Sequence, residues 1–186
     1  IMGPSGAGKT TLLNLISSLD KPTKGEIILD GKDITKIKNK DLSNLRRDKI
    51  GFIFQDYNLL DNMNLMDNIA LPLALGKKKT KDIENKVINI AEIFGLKEHL
   101  KKYPYELSGG QKQRGAAARA LITDPKVIFA DEPTGALDSR SSSDLLESLS
   151  RANKEENATI VMVTHDALTA SYSNKVYILS DGEIKC

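Results

Sequence analysis

Cysteine and histidine are nearly absent from this chain. Its single cysteine, Cys186, excludes an internal disulfide framework and fits a reducing compartment. Two histidines, His99 and His165, are too few for a multi-histidine metal centre. An excess of one charge is missing too: 27 Lys and Arg against 25 Asp and Glu leave a formal net charge of +2 over 186 residues. That balance offers no strong basic footprint, so no nucleic-acid partner is expected. The one basic run, Lys77-Lys78-Lys79 with Lys81, reads as a solvated loop leading into a helix. No apolar run approaches the ~20 residues of a membrane span. What remains is an ordinary charged surface around 40 % hydrophobic residues, enough for one core and a small inserted unit.

Against that background, Gly3 to Thr11 stands out. Gly-Pro-Ser-Gly-Ala-Gly-Lys-Thr-Thr fits G-x-x-x-x-G-K-[ST], with Gly3, Gly8, Lys9 and Thr10 at the fixed positions. Glycines let the backbone turn so that its N–H groups point inward at phosphate oxygens. Lysine adds a point charge near the β- and γ-phosphates, and the next hydroxyl ligates Mg²⁺. The helix that follows aims its positive end at the same group. With ordinary residue usage, a chance match has odds of about one in thirty thousand per start position. Gly3, Ser5, Gly6, Gly8, Lys9, Thr10 and Thr11 are therefore the candidate phosphate-binding residues. Leu12, Leu13, Leu15, Ile16 and Leu19 follow at helical spacing, and Asp20, Pro22 and Gly25 are expected to stop the helix. The strand that should precede the loop is almost absent, because the sequence starts at Ile1. Asp181-Gly182-Glu183-Ile184, just before Cys186, reads as a hairpin turn entering another strand. The chain therefore reads as a fragment with parts missing at both ends.

Glu26 to Leu29 is expected to be a strand, Asp30-Gly31 a tight turn, and Gly51 to Phe54 a short apolar strand ending at Gln55. Residues 56 to 107 change character. Asn-rich turns give way to a helical pattern at Ile83, Val87, Ile90, Ala91 and Phe94. Gln111 to Ile122 and Ser139 to Ala152 read as helices. Val127 to Ala130, Thr159 to Val163 and Val176 to Leu179 read as buried strands. Strands alternating with helices predict an α/β fold, a mostly parallel sheet flanked by helices on both faces.

Two further segments carry chemistry. Val127 to Ala130 ends in Asp131 and Glu132. In a phosphate-loop protein, a carboxylate at that strand tip helps hold Mg²⁺, the role given to Asp131. The adjacent Glu132 can reach an attacking water as general base. Leu107-Ser108-Gly109-Gly110-Gln111 precedes a helix, with Ser108 as its N-cap and two glycines leaving backbone N–H groups open to an anion.

Leu107 to Gln111 resembles the signature sequence of the ATP-binding cassette (ABC) ATPases. The phosphate loop, Gln55, Leu107–Gln111, Asp131-Glu132, Ala136-Leu137-Asp138 and His165 stand in that family's order and spacing. The resemblance implies a P-loop NTPase with ATP and Mg²⁺ as cofactors. It implies a RecA-like ATP-binding core of residues 1–55 and 108–186, with an inserted helical subdomain of 56–107. Gln55 resembles the glutamine that contacts Mg²⁺ and the attacking water. Ser108, Gly109, Gly110 and Gln111 would meet the ATP held by a second subunit. Asp138 resembles the aspartate that couples the two sites, and His165 the histidine that contacts the γ-phosphate. Glu132, His165 and Gln55 are thus the expected catalytic residues; Thr10, Gln55 and Asp131 are the expected metal ligands.

Two copies would sandwich two ATP molecules head to tail, and a membrane permease would dock near residues 55–75. Leu59, Leu60, Leu65, Met66, Ile69 and Leu71 are candidates for that groove or, equally, for the subdomain's own core. The expected setting is peripheral, on the cytoplasmic face of the plasma membrane. Pro133 to Asp138 and Asn68 to Leu73 resemble the branch with lipoprotein-release, macrolide-export and bacitracin-resistance ATPases. Val163 to Asp166, with Ala170-Ser171-Tyr172, leans toward the bacitracin type. The implied function is ATP hydrolysis powering export, removal or sensing of amphiphilic or peptide compounds. The alternative is an ATP-gated module of a cell-division-like membrane complex without cargo. A soluble relative acting on DNA or ribosomes is disfavoured, since no coiled coil, zinc cysteines or basic arm lies between Gln55 and Ser108. The family's N-terminal β-region, with an aromatic residue stacking on adenine, is missing from this sequence. The piece alone is therefore expected to fold poorly and to bind ATP weakly. Gly115, inside a helix, is expected to loosen local packing at about 1 kcal/mol relative to Ala.

Overall fold

A computed structural model of the chain describes residues 1–76, 80–156 and 158–185. Lys77-Lys78-Lys79 and Cys186 lie outside the described residues, so the expected lysine loop is not among them. Helix α1 (Lys9–Ile16) opens directly on the glycine loop. It ends a turn earlier than its leucines suggest. Ser17 caps it and Ser18 takes a left-handed φ of 62°, which takes Leu19 off the helix stripe and leaves it 48 % exposed. Strands β1 (Ile28–Leu29) and β2 (Lys32–Asp33) form a short hairpin, closed by Asp30 and Gly31 with φ of 49° and 73°. Helix α2 (Asn39–Lys49), which the apolar spacing does not reveal, buries only Leu42 and leads into β3 (Ile50–Ile53).

Helices α3 (Leu65–Leu75) and α4 (Thr80–Ile93) follow. Then come α5 (Gly109–Leu121), β4 (Val127–Asp131), α6 (Ser139–Glu156) and β5 (Thr159–Val163). The described chain closes with α7 (Ala167–Ser171) and the hairpin of β6 (Ile178–Ser180) and β7 (Glu183–Lys185).

The central sheet is parallel, in the order β3-β4-β5, with Ile50 opposite Val127 and Val127 opposite Thr159. Met2 bridges Thr164 on one side and Ile178 on the other, so the start of the chain sits between β5 and β6. Side chains of β4 alternate between two cores. Val127 and Phe129 pack with Leu13, Ile50 and Val163 beneath α1. Ile128 faces the larger cluster, with Leu121, Leu145, Leu149 and the buried Leu65, Ile69 and Val87 of α3 and α4. Both faces are covered, which is why β4 reads as an unbroken apolar run.

Three strands depart from expectation, the first being Glu26 to Leu29, of which only Ile28–Leu29 pairs as a strand. In β5 only Val163 is buried, and the expected strand at Val176 to Leu179 shrinks to Ile178–Ser180. A cleft of about 490 Å³ lined by Ile1, Ile160, Met162, Asn153 and Tyr177 lies along β5 and keeps its side chains partly open. Gly115 also corrects the reading of a loosened helix. A Cβ there would lie 2.6 Å from Leu65 Cδ1. The missing side chain lets wholly buried Leu65 of α3 seat against α5, so the glycine tightens that contact. Leu65 and Ile69 are core residues, Leu59 and Met66 pack partly buried against them, and Leu60 is 42 % exposed.

Candidate functional site

The loop from Gly3 to Gly8 forms the floor of an open cleft. Gly8 is the N-cap of α1 with φ of 92°, and no side chain caps the helix. The first N–H groups of α1 face no competing side-chain acceptor, and the helix dipole makes that end attractive to an anion. Lys9 is only 7 % exposed; its ammonium donates to the carbonyls of Gly3 at 2.9 Å and Pro4 at 3.0 Å. Those bonds pin the positive charge at the loop. The Thr10 hydroxyl donates to Asp131 Oδ1 at 3.2 Å, joining the start of α1 to the tip of β4.

The cleft, about 630 Å³, is lined by Ser5, Gly6, Gly8, Lys9, Thr10, Thr11, Gln55, Glu132 and His165. Gln55 comes from the end of β3, Glu132 from the end of β4, and His165 from the end of β5. Parallel α/β sheets present their ligands at this carboxyl edge. Asp131 is pushed above the usual carboxylate range, first by burial and then by the neighbouring Glu132 charge, against the opposing pull of Thr10 and Lys9. Glu132 holds a left-handed φ of 43°, a conformation costing about 1 kcal/mol or more for a residue with a side chain. Its N–H donates to Val163 and its carbonyl accepts from Gly135, both at 3.0 Å, which fixes that turn. Glu132 Oε2 lies 2.6 Å from His165 Nδ1. Asp166, next to His165, caps α7 by accepting from Leu168 N, Thr169 N and the Thr169 hydroxyl. These bonds, the Thr169 hydroxyl first, hold its carboxyl below the usual range. Thr134 and Thr169 hydroxyls meet at 2.9 Å, so the turn after Glu132 is tied to the turn that carries His165.

Ser108, Gly109, Gly110, Gln111 and Asp138 do not line this cleft. Ser108 is the N-cap of α5: its hydroxyl accepts from Gln111 N at 3.3 Å, and Gln111 Oε1 accepts from Ser108 N at 2.9 Å. Gln111 Nε2 also lies 3.1 Å from His99 Nε2. Asp138 accepts from the N–H and the hydroxyl of Ser141 at 3.0 and 2.7 Å, which keeps its carboxyl below the usual range. Sequence reading missed Gln113 and Arg119 on α5. Gln113 is wholly buried, and Arg119 donates to the carbonyls of Tyr57 and Asn58, both of which have left-handed φ. Their signal was a polar residue placed where a helix face is otherwise Gly and Ala. The donor set of the cleft fits a magnesium ion. Thr10 hydroxyl and Gln55 amide line the cleft, and the half-buried Asp131 is bonded to Thr10; all three are hard oxygen ligands, and Asp131 would gain from a divalent charge.

A glycine loop opening a helix, with a strand-tip carboxylate bonded to its threonine, defines a phosphate-loop ATPase. The family profile "ABC transporter" matches residues 1–135, and the chain belongs to that family. The chain is 53 % identical over 184 residues to the bacitracin export ATP-binding protein of Halalkalibacterium halodurans, covering 99 % of this chain and 73 % of that one. It is 44 % identical over 185 residues to the methionine import ATP-binding protein of Aliivibrio fischeri, covering 99 % of this chain and 54 % of that one. Its fold is similar to an ATP-binding cassette of Methanocaldococcus jannaschii solved as a dimer in a post-hydrolysis state bound to ADP and phosphate, with a TM-score of 0.90. Identity there is 39 %, over 100 % of this chain and 82 % of the other. This chain is an ATP-binding, ATP-hydrolysing subunit of an ABC transporter.

Proposed function

We propose that this ATPase drives export, removal or sensing of amphiphilic peptide antibiotics of the bacitracin type, through a separate permease. The observation that carries this reading is its identity of 53 % to a bacitracin export subunit, against 44 % to a methionine importer over the same length of chain. The reading seats it peripherally on the cytoplasmic face of the plasma membrane. Among the described residues no helix is long and apolar enough to cross a membrane.

In the proposed cycle, Gly3 to Thr11 cradle the ATP phosphates, with Lys9 beside the β- and γ-groups. Thr10, Asp131 and Gln55 would hold Mg²⁺, which when bound neutralises charge on those phosphates. Glu132 takes a proton from water as its oxygen bonds to the γ-phosphorus and the bond to the β-phosphate oxygen breaks. A positioned base of this kind contributes about 10²–10⁴-fold. His165, 2.6 Å from Glu132, aligns that carboxylate and faces the γ-phosphate. Ser108, Gly109, Gly110 and Gln111 meet the ATP of a second copy in a head-to-tail dimer, and Asp138 couples the two sites. Residues 56–107 act as a helical subdomain on the core of 1–55 and 108–186. Exposed Leu60, in the stretch 55–75, offers the permease an apolar contact.

The test is ATPase rate of the complete protein reconstituted with its permease, with and without bacitracin. A bacitracin-dependent change of rate, absent with methionine, supports the reading. A rate indifferent to every peptide favours the cell-division-like module.

A further inference from the structure

We propose that Gln113 is a positioning residue for hydrolysis, a buried clamp that sets Gln55 and Glu132 relative to each other. Its Nε2 donates to Phe54 O at 3.1 Å and to Pro133 O at 2.7 Å. Phe54 is the residue before Gln55, and Pro133 the residue after Glu132. One amide nitrogen therefore spans the two turns that carry the proposed water-handling side chains. Gln113 is 0 % exposed, and its Oε1 is buried with no hydrogen-bond partner among the described residues. Leaving a buried acceptor unpaired is unfavourable. The amide tolerates this because both of its N–H groups face carbonyls, so the two carbonyls decide how it sits.

The turns it joins are in close quarters. A Cβ at Gly135 would lie 3.3 Å from Gln55 Cδ, so a shift in the turn after Glu132 is felt at Gln55. Arg119, further along α5, holds Tyr57 and Asn58 by their carbonyls. Helix α5 thus grips the turn after β3 at two places while its first turn is Ser108 to Gln111. A movement of that first turn, as when a second copy docks, reaches Gln55 and Glu132 through Gln113.

This inference rests on the proposed roles of Glu132 and Gln55. The experiment measures kcat, KM for ATP and equilibrium nucleotide Kd in the complete protein for Gln113→Met and, separately, Glu132→Gln. Rates are counted per bound nucleotide, so unfolded protein does not enter. Gln113→Met keeps the length and removes both donors. The expected result is a kcat about 10- to 100-fold lower, as for a small misplacement of reacting groups, with KM and Kd within about twofold. An unchanged rate per bound nucleotide overturns the proposal and leaves Gln113 a packing residue. A wild-type rate in Glu132→Gln overturns the base assignment alone, and Gln113→Met still decides the clamp. If Gln113→Met does not fold, Gln113→Asn, whose amide is one methylene short of both carbonyls, takes the same measurement with the same two outcomes.

Discussion

Helices α1 and α5 begin in opposite ways. The N-cap of α1 is Gly8, with a left-handed φ and no side-chain cap; the N-cap of α5 is Ser108, in a reciprocal box with Gln111. Both termini carry the same partial positive charge and unpaired N–H groups. The first is left open by glycine, beside a cleft lined by Lys9 and the Glu132 carboxylate. The second satisfies itself, lies outside that cleft, and shows an exposed serine. In the proposed function the uncapped terminus serves the nucleotide of its own chain. The capped one satisfies its own end, and under the proposed dimer has its outer hydroxyl and glycine N–H groups to offer the ATP of a second copy.

The largest test of this contrast is Glu132→Gln. It should keep nucleotide affinity, cut turnover by about 10²–10⁴-fold, and trap the ATP-bound dimer by size-exclusion chromatography. A normal rate would show that another group activates water. Lys9→Ala comes next. Removing a charge-assisted contact of about 1.5–3 kcal/mol should weaken nucleotide binding by roughly 10- to 100-fold. Binding titrations with a fluorescent ATP analogue read it directly. Ser108→Ala sharpens the difference. It should lower stability by about 1 kcal/mol through the lost cap, while single-chain nucleotide affinity stays put. Weaker binding at protein concentrations too low for dimers would mean that the two helix ends share one chain's ATP, and the contrast would collapse.

How much of this was legible in the sequence differs between the same two regions. Gly3 to Thr11 and Asp131-Glu132 announce themselves because phosphate chemistry restricts both residue type and spacing; the cleft brings Ser5, Gly6 and Gly8 to Thr11 together with Glu132, and the Thr10 hydroxyl joins Asp131 to the loop. The parallel sheet was readable because β4 is apolar on both faces. Around α5 the sequence said less. Gln113 looks like any polar helical residue until its two carbonyl partners, 59 and 20 residues away in sequence, are known. Gly115 looked like a weakness because the close approach of Leu65 is a tertiary fact. Helix α2 was unreadable for a different reason: with only Leu42 buried, it has no apolar stripe to show. Asn68 likewise hides a fully buried amide that accepts from Leu60 N and donates to the Leu60 and Met63 carbonyls, shaping the turn before α3.

The smallest effect probes what the open cleft costs the fold. Asp131 is a carboxylate that burial pushes above its ordinary range, with the Glu132 charge beside it. The sign follows from linkage. A group whose folded pKa is raised disfavours the folded state wherever it is ionised, at neutral pH and above. The penalty fades as pH falls through the raised value and is gone below the ordinary carboxylate range. Asp131→Asn keeps an oxygen acceptor for the Thr10 hydroxyl and removes the charge. Its melting temperature should therefore exceed that of the parent chain slightly at pH 7, with the difference closing as the pH is lowered toward about 4. The same variant should need more Mg²⁺ to bind ATP, since a hard-ion ligand has lost its charge. A substitution that stabilises the empty fold while weakening the loaded one is what a site prepared for a cation predicts. If Asp131→Asn instead lowered the melting temperature at pH 7, Asp131 would be holding α1 to β4 as structure, and the cleft would be no more strained than the capped end of α5.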